Sequence, residues 1–73
     1  MKKLYYKVYF YATKSGCSEK RKLVPVFMPR FDEFTGKHIT QEQQKQRGES
    51  ALKGEGFYDI EYGSTIATEL IFG

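Results

Sequence analysis

Cysteine, histidine and proline are scarce in this chain, and each scarcity removes a class of answer. Cys17 is the sole cysteine, so no intrachain disulfide can form. His38 is the sole histidine and lies far from Cys17 in sequence, whereas a closed structural zinc site takes four nitrogen or sulfur ligands, usually in paired spacings. No uninterrupted apolar run approaches the ~20 residues needed to span a bilayer. Met1-Lys2-Lys3 begins like a secretory leader, but Lys7 interrupts the stretch that would have to be apolar. These absences lead us to expect no metal, no cofactor, no membrane insertion, and a reducing compartment, most simply the cytoplasm.

What is present bounds the answer further. The 73 residues make one domain, 1–73, because two cores cannot be built from so short a chain. A domain of this size buries only about 60% of the surface it exposes unfolded. With disulfide and metal closed off, self-association as a homodimer is the remaining way to thicken the core. The formal net charge of +3 is unevenly spread. Residues up to His38 carry nine Lys and Arg against Glu19, Asp32 and Glu33; the remainder carries Lys45, Arg47 and Lys53 against six carboxylates. Such a chain can turn a basic edge toward an acidic partner.

Lys3 to Thr13 is the clearest element: rich in Tyr, Phe and Val, free of Gly and Pro, and alternating. Leu4, Tyr6, Val8, Phe10 and Ala12 form its core face, and Tyr5, Lys7, Tyr9, Tyr11 and Thr13 the opposite one. Lys14 to Lys22, polar and basic around Gly16, reads as a hairpin loop. Leu23 to Met28 follows as a strand with Val24, Val26 and Met28 inward, and Pro25 places it at a sheet edge. A loop from Pro29 to Lys37 leads to a helix from Thr40 to about Lys53. Thr40 and Gln43 have capping-box spacing, and Gly54 or Gly56 supplies the left-handed cap. The helix is glutamine-rich, and its narrow inner stripe is Gln44, Gly48, Ala51, Leu52 and Glu55. Gly48 costs about 1 kcal/mol against Ala in a helix interior, which a low-lying helix would recover by close approach to the sheet. Phe57 to Tyr62 reads as a third strand with Tyr58, Ile60 and Tyr62 together, Gly63-Ser64 as a turn, and Ile66 to Phe72 as a fourth strand. The expected architecture is α+β in the order β-β-α-β-β, a small antiparallel or mixed sheet with one helix on one face. A single helix leaves the other face to solvent or a partner.

Catalytic chemistry finds little footing. Cys17 lies among Lys14, Lys20, Arg21 and Lys22, which favour a thiolate, but nothing in the spacing brings His38 to it as a base. Asp59 and Glu61, two apart on a strand, are fewer ligands than a hard cation takes. Gly54-Glu55-Gly56 lacks the strand-to-helix setting of a phosphate loop. We therefore expect no enzymatic activity and no catalytic residue.

Binding is better supported. Tyr5, Lys7, Tyr9 and Tyr11 make a stripe of rings and charge, with the basic residues Lys14, Lys20, Arg21 and Lys22 at its end. Tyrosine and arginine are enriched at protein–protein hot spots, so a protein partner is the leading expectation. The alternative is a nucleic acid: stacked bases on the rings are worth roughly 1–3 kcal/mol each, and the basic loop would track phosphates. A third arrangement lays Phe31 and Phe34 of the following loop across the Tyr face. In size and layout alone, the chain resembles small non-catalytic accessory proteins of phages and mobile elements, including inhibitors of bacterial defence such as anti-CRISPR proteins. That resemblance implies a module that acts by occluding or tethering a protein.

Overall fold

A computed structural model describes residues 2–16 and 20–71. Cys17, Ser18 and Glu19 in the first loop, and Phe72, fall outside the described residues. The chain forms β1 (Lys2–Lys14), β2 (Lys22–Pro29), α1 (Gln41–Gly54) and β3 (Phe57–Ile71). The strands make one antiparallel sheet in the order β2-β1-β3, with β1 in the centre. The α+β class and the single helix are as the sequence indicates, but among the described residues there are three strands, not four.

The difference lies at Gly63-Ser64. Instead of turning, β3 runs on through them for 15 residues. Tyr9 pairs with Ser64 while Phe10 pairs with Tyr62, so Gly63 is the extra residue of a bulge. A Cβ at Gly63 would come within 3.0 Å of the Tyr9 carbonyl oxygen and 3.2 Å of the Tyr11 ring. The glycine therefore answers to a close approach of backbones, not to a change of direction. A second register shift follows beyond Tyr11, where Thr13 meets Tyr58. Asp59 there adopts φ 54°, a left-handed conformation that Asp tolerates better than most side chains. This shift corrects one expectation: Tyr58 is exposed and does not share the face of Ile60 and Tyr62, whereas Phe57 packs against the core. Thr13, paired with Tyr58, is buried.

The helix is built as its sequence indicates. Thr40 Oγ1 accepts from the Gln43 amide at 3.1 Å, and Gln43 Oε1 accepts from the Thr40 amide at 2.8 Å. At the other end Gly56 is left-handed, at φ 90°, and donates to the Lys53 carbonyl. The inner stripe is Gln44, Gly48 and Leu52; Ala51 and Glu55, expected on it, are exposed. A Cβ at Gly48 would overlap the Phe10 ring, so the missing side chain lets α1 lie low over β1. The Phe10 ring meets the Tyr62 ring edge-on, centroids 6.1 Å apart. Val8, Phe10, Ala12, Met28, Ile39 and Leu52 are the buried apolar residues, with Tyr6, Val24, Val26, Ile60 and Tyr62 around them. Burying each of the larger ones contributes about 1.5–3 kcal/mol.

A polar chain closes this layer. Thr65 Oγ1 donates to Gln44 Oε1 at 2.6 Å, so the Tyr62 hydroxyl, 2.7 Å away, must donate to Thr65. Gln44 is thus a buried glutamine whose oxygen is satisfied from β3. The least dimension of the molecule is 19 Å, the depth of one sheet and one helix. Among the described residues no helix is long and apolar enough to cross a membrane.

Candidate functional site: the open face of the sheet

Alternation in β1 sends Tyr5, Lys7, Tyr9 and Tyr11 to the side away from α1. The register sets the neighbours of each. Tyr5 lies between Pro29 and Thr68, Lys7 between Phe27 and Ile66, Tyr9 between Pro25 and Ser64, and Tyr11 between Leu23 and Glu61. Among the described residues no element covers this face. Tyr11 (45%), Leu23 (52%), Phe27 (51%) and Ile66 (51%) are about half exposed, while Tyr5, Lys7 and Tyr9 are partly buried. Three adjacent strands thus contribute large apolar side chains to one ring-lined surface.

Lys7 is the cation at its centre. Its Nζ lies 5.1 Å from the Tyr9 ring and 5.7 Å from the Phe27 ring, so the charge sits between two aromatic faces from adjacent strands.

The basic loop is divided, not joined to the stripe. Arg21 reaches β3, where its Nη2 lies 2.9 Å from Glu61 Oε2 and donates to the Asp59 carbonyl, with Nε 3.7 Å from Asp59 Oδ2. Its charge is matched by those carboxylates at the Tyr11 end of the open face. Lys14 Nζ lies over the Phe57 ring, which packs against the core. Lys22 pairs with Ala12 and shares its face, that of the helix. Lys20 is exposed just ahead of β2. Of the eight residues singled out by sequence, the structure brings Tyr5, Lys7, Tyr9, Tyr11 and Arg21 to one surface and sets Lys14 and Lys22 apart from it.

The Phe31 and Phe34 arrangement is also corrected. Phe31 bridges to His38 and packs on its ring at a centroid distance of 4.5 Å, and His38 Nδ1 lies 3.2 Å from the hydroxyl of Tyr6, a residue of the helix side. The loop therefore folds over the covered face, anchored by Ile39, and leaves the Tyr face clear. Phe34 stands 95% exposed at the loop tip. Asp32 organises that tip: its carboxylate accepts from the Phe34 amide at 2.8 Å, with Thr35, Gln43 and Arg47 also near. The Phe34 amide, helped by Thr35, Arg47 and Gln43, outweighs desolvation and holds the Asp32 carboxyl below its ordinary value.

Sequence reading missed Leu23, Phe27 and Ile66 as part of this surface. The signal was there for β2: once Val24, Val26 and Met28 are turned inward, parity sends Leu23 and Phe27 outward. For Ile66 the bulge at Gly63 had to be known. A shallow cleft between α1 and β3 is lined by Phe10, Lys45, Glu49, Ile60, Glu61 and Tyr62; it mixes both charge signs over core rings and has no histidine or nucleophile among its lining. Among the described residues no group of three His, Cys, Asp or Glu could hold a metal ion. Compared with protein-family models, with curated proteins and with solved structures, the chain matches none.

Proposed function

We propose that the chain is a non-catalytic binding module that occludes or tethers a protein through the open face of its sheet. The observation that carries this reading is the continuous surface of Tyr11, Leu23, Phe27 and Ile66 around Lys7, half-exposed large apolar groups from all three strands. Burying such groups against a partner is favourable at about 25 cal/mol per Å² of apolar area, before the entropic cost of association is met. Aromatic rings such as those of Tyr11 and Phe27 are enriched at such surfaces, tyrosine among the usual anchors. The division of the basic loop weighs against a phosphate-tracking role, since Arg21 is matched by two carboxylates and Lys14 and Lys22 lie away from the stripe.

The test compares the native chain with Phe27→Ser/Ile66→Ser and with a control, Ser50→Ala, on the outer side of α1. A partner protein from a lysate of its own cells should be retained by the native chain and the control and lost with the open-face pair. Retention by the open-face pair would contradict the reading. So would salt-sensitive binding of labelled single-stranded oligonucleotides that persists at physiological ionic strength, which would move the site to nucleic acid.

A further inference from the structure

The two outer edges of the sheet are built differently. The Arg30 amide donates to the Leu4 carbonyl at 3.4 Å, and the Ser15 amide to the Gly56 carbonyl at 3.0 Å. The N–H and C=O of a strand residue point to one side and alternate along the chain. Even-numbered residues of β1 therefore bond to β2 and odd-numbered ones to β3. The register carries this pattern outward. Pro25 and Pro29, opposite Tyr9 and Tyr5, turn their nitrogens away from β1, so the outer edge of β2 lacks a donor at both places. Ile66 and Thr68, opposite Lys7 and Tyr5, face inward, and Thr65 and Ala67 turn their amides and carbonyls outward.

Two prolines make β2 a poor template for a further strand. The outer edge of β3 has no proline, lysine or arginine from Phe57 to Ile71, and beyond its bulge at Gly63 it carries a single carboxylate, Glu69. It is also held in place. Arg30 donates from Nε to the Tyr5 carbonyl at 2.9 Å and from Nη2 to the Thr68 carbonyl at 2.7 Å, clamping the β1–β3 seam beside Ala67.

We propose that β3 pairs antiparallel with β3 of a second copy of this chain, about a two-fold axis at Ala67, to give a continuous six-stranded sheet. Among axes at the outward-facing residues Thr65, Ala67 and Glu69, the charges favour Ala67. Centred on Ala67, the register sets Thr65 against position 69, Ile66 against position 68 and Ser64 against position 70, and no two carboxylates meet. Centred on Glu69 it would set that carboxylate against itself, and centred on Thr65 it would set Glu61 against Glu69, pairs that repel. The bulge at Gly63 ends the seam on one side and the end of the strand limits it on the other. So short a seam makes the association concentration-dependent. Pairing sets the two open faces side by side, so the dimer presents two partner sites. The inference does not rest on the open-face reading, because edge and face are different surfaces.

Sedimentation equilibrium of the whole chain, from about 1 μM to about 1 mM, tests it. The native chain should pass from monomer to dimer across this range. Ala67→Pro removes an outward N–H that β1 does not use, and Ala67→Lys sets two ammonium groups together at the axis. Each should raise the dissociation constant at least about tenfold with little change in Tm. If the proline variant fails to fold, the lysine variant decides. Phe27→Ser, on the open face, should dimerise like the native chain. A native chain that stays monomeric throughout, dimers that survive Ala67→Lys, or dimers abolished by Phe27→Ser would each overturn the proposal.

Discussion

The two faces of this sheet are made from the same strands by the same alternation, yet they differ in what closes them. On one side Val8, Phe10, Ala12 and Met28 meet a helix that approaches closely because Gly48 has no side chain, and Gln44 is satisfied by Thr65. On the other side Tyr11, Leu23, Phe27 and Ile66 carry comparable apolar bulk and meet no element among the described residues. Hydrophobicity alone does not separate a core from a docking surface. Polar satisfaction and the fit of the opposing layer also differ: the covered face has a hydrogen-bonded chain through buried Gln44, whereas the open face mixes bare apolar groups with tyrosine hydroxyls and one ammonium.

The contrast can be broken most sharply from the covered side. Gly48→Ala should destabilise by about 1–3 kcal/mol in chemical denaturation, although alanine favours a helix, because the new methyl overlaps the Phe10 ring. An unchanged or raised stability would show that α1 can lift without cost. Thr65→Val removes the hydroxyl that satisfies the buried Gln44 oxygen and leaves Tyr62 without its acceptor, for a loss of about 1–3 kcal/mol. Pairing it with Gln44→Leu should recover part of that loss, and strict additivity would break the link between the two residues.

Substitutions on the open side should be felt much less by the fold. Tyr9→Ala is expected to change stability by under about 1 kcal/mol while weakening partner binding. A large fall in stability would mean that Tyr9 is a core residue. The smallest effect belongs to the Asp32 carboxylate beneath the exposed Phe34. Its ionised form is favoured by folding, so its contribution is present above the ordinary aspartate value of 3.8 and is lost as pH falls through its lowered folded value. Comparing Tm against pH, Asp32→Asn should flatten the acid limb of the native curve. Parallel curves would contradict this account of the loop.

Much of the covered face was legible in the sequence. The Thr40–Gln43 spacing, the Gly56 cap, the alternation of β1 and the value of a missing Cβ at Gly48 each have a local physical signature. Ile39 carried a weaker one, as the apolar residue just before an N-cap, a position that often packs inward. What escaped was non-local. Gly63-Ser64 has the composition of a turn, and only the backbone of Tyr9 lying against it makes it a bulge in one long strand. Asp59 resets the alternation of β3 through a single left-handed residue, so Tyr58 could not be assigned to a face by counting. The open-face site was half legible: its tyrosines follow from β1 alone, while Ile66 depends on the bulge and the neutralisation of Arg21 depends on β3 arriving beside β1. Arg30, which fastens two strands through their carbonyls, has no sequence signature at all.

The most direct test of the central claim is site-specific photo-crosslinking in the native host, with the reactive group placed at Phe27 on the open face or at Ser50 on the outer side of α1. The account predicts one defined protein adduct from position 27 and none from position 50. Adducts from position 50 alone, or from position 27 to nucleic acid, would contradict it.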